Sequence, residues 1–67
     1  MNKKIKRLCK FFKTNDLNFI YYSEAKELFM ISMAVFDYVA ANTIEEVIDL
    51  FIEKYKEEIE IDEEEGV

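Results

Sequence analysis

The sequence predicts an all-α fold, a small bundle of three helices. Apolar residues recur at helical spacing near both ends of the chain, and the apolar stretch between them contains neither glycine nor proline. With 67 residues, of which 51% are hydrophobic, the chain suits one small domain. We therefore expect residues 1–67 to form a single domain whose helices span approximately Lys3–Lys13, Ser23–Ala41 and Thr43–Glu60.

The first predicted helix, residues 1–13, is basic and amphipathic. Ile5, Leu8 and Phe12 recur at three- and four-residue spacing, which places them on one face of a helix. Every charged residue in this segment is basic: Lys3, Lys4, Lys6, Arg7, Lys10 and Lys13. These six residues are the candidate nucleic-acid-binding surface, because phosphate contacts depend on Lys and Arg. Phe11 lies off the apolar face and is a candidate anchor for a partner.

Residues 14–22 contain a turn and an ambiguous segment. Thr14, Asn15 and Asp16 favour a turn, whereas the aromatic residues of 17–22 suit either a strand or a helix. If 17–22 is a strand followed by two helices, the order of elements resembles that of a ribbon-helix-helix dimer. The outward-facing residues of that strand, Asn18, Ile20 and Tyr22, would include no Arg or Lys to contact base edges.

Residues 23–41 are predicted to form the central helix, with Ser23 as its N-cap. Its few polar positions form one narrow stripe, along which Met30 and Met33 lie. Flexible methionine side chains at such positions suit an adaptable contact surface, so both are candidate partner-binding residues. Because apolar side chains cover the rest of this helix, we expect the chain to form at least a dimer.

The third predicted helix, residues 43–61, is acidic, and residues 62–67 form an acidic tail. Thr43 and Glu46 have the spacing of a capping box, which marks the start of the helix. Its exposed acids are the main candidate partner-binding residues: Glu45, Glu46, Asp49 and Glu53. A DNA mimic is a further hypothesis, although the helix carries only one net charge per ~5 Å, against one per ~1.7 Å in duplex DNA.

The composition excludes several classes of chemistry. The chain has no His, one Cys and one Gly, Gly66, so it cannot build a catalytic triad, a nitrogen or sulfur zinc site, or a glycine-rich phosphate loop. We predict no enzymatic activity, no cofactor and no metal. The lone Cys9 indicates a reducing compartment, and no apolar run is long enough for a signal peptide or a membrane span. We expect a cytoplasmic protein without membrane contact.

The predicted function is that of a small acidic interaction protein, which binds and modulates or inhibits a larger macromolecule. A protein partner fits the net charge of −6, at which we expect nucleic acid to bind no more tightly than ~10⁻⁴ to 10⁻⁶ M. Size and a composition suited to an AT-rich genome favour a viral or mobile-element accessory factor. The alternative is a dimeric nucleic-acid-binding regulator of ribbon-helix-helix type, and a structural homo-oligomer ranks third.

Overall fold

The protein has a mixed α/β fold, so the prediction of an all-α helical bundle is wrong. The computed structural model describes residues 3–59, and the predicted acidic tail 62–67 lies outside them. In this part of the chain a three-stranded antiparallel sheet, in the order β1-β2-β3, lies between two helices in sequence. The elements are α1 (Lys3–Phe12), β1 (Tyr21–Ser23), β2 (Leu28–Ala34), β3 (Asp37–Ala41) and α2 (Ile44–Lys54).

The predicted central helix 23–41 is instead most of the sheet. Val39 lies opposite Ile31 on the side of the sheet that carries the buried core, while Ala40 lies opposite Met30 on the other side. Both faces of these strands therefore carry apolar side chains, and the sequence shows no alternation of apolar and polar residues. A continuous apolar run of this kind suits a strand covered on both faces as well as a buried helix.

The alternative with a strand near residues 17–22 is closer to the structure. Tyr21 and Tyr22 belong to β1, which pairs with β2 in the register Tyr22 to Phe29. Two further strands follow β1, however, where the ribbon-helix-helix order requires two helices. Ser23 caps no helix: its Oγ accepts a hydrogen bond from the backbone N–H of Lys26 at 3.2 Å and closes the turn between β1 and β2.

The predicted break after the first helix is confirmed. Thr14 N–H donates to the carbonyl of Cys9 at 2.9 Å, and Lys13 N–H donates to that of Lys10 at 3.2 Å, which is a Schellman termination. Lys13 takes the left-handed conformation, with φ 57°, that this motif requires. Asp16 then accepts from the backbone N–H of Asn18 at 3.2 Å, as expected of an Asx turn.

α2 packs against β2 and β3, and α1 packs against α2, so the core includes residues of both helices and of the sheet. Phe51 of α2 is fully buried, and its ring contacts those of Phe11, Phe12 and Tyr55. The predicted N-cap of the last helix is confirmed, because Thr43 Oγ1 accepts from the backbone N–H of Glu46 at 3.1 Å. The core residues are Leu8, Ile31, Val39, Ala41, Val47, Ile48, Phe51, Tyr55 and Ile59. Residues 3–59 contain no helix that is apolar on most sides, so that argument for self-association no longer holds.

Candidate interaction surface

The basic residues of α1 divide into two groups. Lys4 and Arg7 line a cleft against α2, together with acidic residues of that helix. Lys3, Lys6 and Lys10, which we call the basic row, are exposed and recur at three- and four-residue spacing along α1. Lys13 is exposed at the end of the helix. Of the six residues predicted as one nucleic-acid-binding surface, four are therefore exposed outside this cleft.

The acidic residues of α2 include a row that faces α1. Asp49 accepts a hydrogen bond from Lys4 Nζ at 2.6 Å, and Glu53 lines the same cleft as Lys4 and Arg7. This hydrogen bond, and then the charge of Asp49, raise the pKa of Lys4. Glu45, Asp49 and Glu53, which we call the acidic row, thus lie near basic side chains of the same molecule. Glu46 stays exposed beside the N-cap.

The other predicted partner-binding residues differ in their exposure to solvent. Phe11 packs against Phe12 and Phe51, with ring centroids 5.2 and 6.1 Å apart, so it is partly buried against the core and is not an exposed anchor. Met30 is only 4% exposed, opposite Tyr21 and Ala40 in the sheet. Met33 is 41% exposed near the end of β2. Of these three predicted residues, only Met33 is well placed to contact a partner.

The most exposed apolar side chains lie at the turn between β2 and β3. Val35 is 83% exposed and Phe36 94% exposed. Together with Met33 and Ala34 they form four consecutive apolar residues, all exposed, which we call the apolar tip. Isolated exposed apolar residues are common, whereas contiguous ones mark contact sites. The apolar tip is therefore the strongest candidate site in the described part of the chain.

The base of the apolar tip is fixed to α2. Tyr55 donates a hydrogen bond from its hydroxyl to Asp37, the residue after Phe36, and Lys54 Nζ lies 3.5 Å from the same carboxylate. Burial, followed by the hydrogen bond to Asp37, raises the pKa of Tyr55 to about 12. Tyr55 is therefore protonated at neutral pH and available as a donor. These contacts hold the hairpin of β2 and β3 against the C-terminal end of α2, while the turn of the hairpin projects into solvent.

The apolar tip was not predicted from the sequence, because Val35 and Phe36 lie in the segment predicted to be the central helix. In a helical interpretation both residues belong to the apolar circumference and are predicted to be buried. Asp37 was the available signal, because an acidic residue directly after an apolar run often marks a turn. Its neighbours Val35 and Phe36 carry no turn preference, so the signal was weak.

A second apolar feature lies where α1 and α2 begin. A groove of about 540 Å³, which we call the end groove, is lined by Ile5, Ile44 and Ile48, with Lys3 and Glu45 among its charged residues. Ile44 is 42% exposed, although it follows the N-cap of α2 directly. The size is within the range of small-ligand sites, and the ion pair between Lys4 and Asp49 also lines the groove.

No group of three potential metal-ligating side chains occurs within residues 3–59. The helices in this part of the chain are too short or too polar to span a bilayer. No protein-family model matches the chain, and neither curated proteins nor solved structures show a detectable similarity to it. Its function therefore has to be inferred from its fold and surfaces alone.

Proposed function

We propose that this chain is a non-enzymatic interaction protein, which binds a larger protein by inserting its apolar tip into a pocket of that partner. The observation that supports this function is the 94% exposure of Phe36 at the end of a hairpin held firmly at its base. Buried aromatic anchors supply much of the energy in protein interfaces. A projecting phenylalanine is suited to that role.

The local structure gives no other reason for an apolar turn. Val35 and Phe36 form a two-residue turn closed by the pair Ala34 and Asp37. Neither turn residue has a positive φ. Turns with negative φ accept most residues and favour Asp, Asn or Ser. Exposed Val and Phe in this position neither fill the core nor fix the turn, and a contact with a partner would explain both.

In this proposal the apolar tip, and not the acidic row, is the surface that binds the partner. Asp49 already pairs with Lys4, so a partner that binds there must first displace an intramolecular contact. The apolar tip has no such competitor within the described residues, and binding would remove its exposed surface from water. Removal of apolar surface from water stabilises a complex by roughly 25 cal/mol per Å² before the costs of association.

The function can be tested with a crosslinking residue in place of Phe36. A photoreactive phenylalanine analogue at position 36 should crosslink to one protein in lysate of the native host, and that protein can then be purified for titration. Phe36→Asp should weaken its binding by about 30-fold or more, as for a hot-spot residue.

Leu50→Asp is the matched control for this titration. Leu50 is also a large apolar residue, 45% exposed, but it lies on α2. The control should bind as tightly as the unmodified protein. Equal losses for the two variants, or none for Phe36→Asp, would show that the apolar tip is not the binding site.

Nucleic-acid binding is the second candidate function. The strand Tyr21–Ser23 overlaps the strand that the nucleic-acid-binding alternative predicted at residues 17–22. The three exposed lysines of the basic row could contact phosphates. A ribbon-helix-helix dimer is not part of this proposal, since three strands separate the helices.

Reversal of Lys3, Lys6 and Lys10 to Glu tests this candidate. It should abolish any salt-dependent binding to duplex or single-stranded nucleic acid, while reversal of Lys26 and Lys56 should not. Nanomolar binding by the unmodified protein at physiological salt, lost in the basic-row variant, would favour this function over the first.

A cytoplasmic location and a role as a viral or mobile-element accessory factor extend the first proposal. Cys9 is buried and unpaired, which suits a reducing compartment. An accessory factor without catalytic groups acts by occupying a surface of another protein, which is the action proposed for the apolar tip.

A further inference from the structure

We propose that the partner contributes an extended segment, which pairs as an added strand with residues 31–34 of β2, beside the apolar tip. This inference rests on the proposed function, since it names the kind of protein surface that the apolar tip meets. Strand addition is a recurrent mode of recognition, in which backbone hydrogen bonds supply affinity and alternate side chains supply specificity.

β2 is longer than the strand that pairs with it on one side. It spans seven residues, Leu28–Ala34, whereas β1 pairs only with residues 28–30. The chain turns just before β1, where Ile20 N–H donates to the carbonyl of Leu17 at 3.0 Å. Within residues 3–59, no strand pairs with residues 31–34 on this side, which we call the open edge.

Ser32 directs its backbone groups to the open edge. Lys54 Nζ donates to the carbonyl of Tyr38 at 3.2 Å, so this carbonyl points away from β2. Opposite residues of an antiparallel pair direct their hydrogen-bonding groups either to each other or both outward. Ser32 lies opposite Tyr38, so its N–H and carbonyl also point outward, and no residue among 3–59 gives them a backbone partner.

The edge of the hairpin along β3 is blocked where Lys54 lies. Lys54 occupies the outward carbonyl of Tyr38, and its ammonium group also lies 3.5 Å from the carboxylate of Asp37. Lysine is one of the residues with which natural sheets prevent strand addition at an edge. A partner strand therefore has access to the hairpin on the side of β1, at the open edge.

An extended segment matches the open edge because it repeats backbone donors and acceptors at the spacing of a strand. The register of β2 and β3 shifts between Ser32 and Ala34, and such an irregularity bends a strand and limits the length of pairing. We therefore expect pairing over about three residues, the length of β1. The open edge continues into Met33 and Ala34 of the apolar tip, so one segment of the partner contacts both.

Amide hydrogen exchange of the free chain, measured by NMR, tests the open edge. The N–H of Ser32 should exchange at least about tenfold faster than the N–H of its neighbour Ile31, which points to β3. Equal protection of the two amides would overturn the inference, because the edge would already be occupied. Protection of Ser32 that grows with the concentration of the chain would also overturn it, since a second copy would then be the occupant.

Peptides test the occupant, and the probe is a phage-displayed library of nine-residue peptides selected on the immobilised chain. Selected peptides should slow exchange at Ser32 by about tenfold or more. An ester in place of the Ser32 amide removes the N–H donor and should weaken their binding about fivefold, the net effect of one hydrogen bond. Ser32→Ala is the matched control, because it changes only the side chain, and it should bind as tightly as the unmodified chain.

Methylated forms of each peptide test the pairing from the other side. N-methylation of every second amide should abolish binding in one of the two possible patterns and not in the other, since successive amides of a strand point to opposite sides. Equal binding of the two methylated forms would overturn the inference. So would equal binding by the ester variant and the unmodified chain, or a selection in which no peptide slows exchange at Ser32.

Two outcomes separate this inference from the proposed function. A host protein that crosslinks at position 36 but leaves exchange at Ser32 unchanged would support the proposed function and overturn the added strand. Peptides that slow exchange at Ser32 yet bind Phe36→Asp as tightly as the unmodified chain would support the open edge and contradict the role of the apolar tip.

Discussion

The two turns of the sheet differ in whether folding accounts for the residues that they contain. Residues 24–27, between β1 and β2, are mostly charged, and the Oγ of Ser23 accepts from Lys26 to close them. Val35 and Phe36, between β2 and β3, are apolar and exposed. Backbone hydrogen bonding and solvation account for the first turn, whereas neither accounts for the second. A surface residue that folding does not require is a candidate for function.

The largest expected effect separates two phenylalanines. Phe51 is 0% exposed, so Phe51→Ala should destabilise the fold by about 3–5 kcal/mol, enough to unfold so small a domain. Phe36→Ala should change the free energy of unfolding by no more than about 0.5 kcal/mol. Urea titration of both variants measures this difference. A cost above about 1 kcal/mol for Phe36→Ala would mean that the tip is structural, and the comparison of the turns would fail.

The next effect concerns the anchor beneath the apolar tip. Tyr55→Phe removes the hydrogen bond to Asp37 and should cost about 1–2 kcal/mol, since the acceptor is charged but partly solvated. Burial and that hydrogen bond raise the pKa of Tyr55 from 10.0 to about 12 in the folded state. The resulting stabilisation is complete below pH 10 and is lost as the pH rises from 10 towards 12.

Urea titrations between pH 8 and pH 12 measure this loss. Lysine side chains also titrate in this range, so the relevant quantity is the difference in stability between the unmodified protein and Tyr55→Phe. That difference should shrink above pH 10, and a constant difference would contradict the proposed anchor. Tyr22→Phe, on the exposed edge strand, serves as the control variant.

A smaller effect is expected at the start of α2, the helix that carries the anchor. Thr43→Ala removes the side-chain acceptor for Glu46 N–H and should cost about 1 kcal/mol in chemical denaturation. Thr43→Ser keeps the acceptor and should restore most of this loss. If the two variants are equally stable, the cap contributes nothing, and α2 holds the hairpin by core packing alone.

The smallest effect tests the turns directly. Glu27 has φ 56°, which is unfavourable for a residue with a Cβ, so Glu27→Gly should stabilise the protein by about 0.5 kcal/mol. Val35 has no such strain, and Val35→Gly should destabilise it by a similar amount through the entropy of the unfolded chain. Thermal denaturation of both variants measures the sign. If both substitutions changed the stability in the same direction, backbone strain would not be a difference between the two turns.

Local sequence signals predicted the bounds of α1 and the start of α2, but α2 ends at Lys54, before the predicted end near Glu60. The spacing of Ile5, Leu8 and Phe12 defined α1, the polar residues after it marked a turn, and Thr43 marked the start of α2. These features depend on side chains within a few residues of one another. The position of Lys4 and Asp49, 45 residues apart in sequence, depends on how the two helices pack.

The sequence by itself determined an amphipathic basic helix, a capped acidic helix and the absence of His, which excludes a His-based catalytic triad. Tertiary structure alone decided that residues 23–41 form strands joined by turns, because a continuous apolar run is compatible with a buried helix and with a covered strand equally. The sheet then buried Met30, exposed Phe36 and left Met33 at the surface. Which apolar residue is free for a partner depends on this choice, since the pairing of β2 with β3 turns the chain between Ala34 and Asp37 and leaves Val35 and Phe36 outside the core.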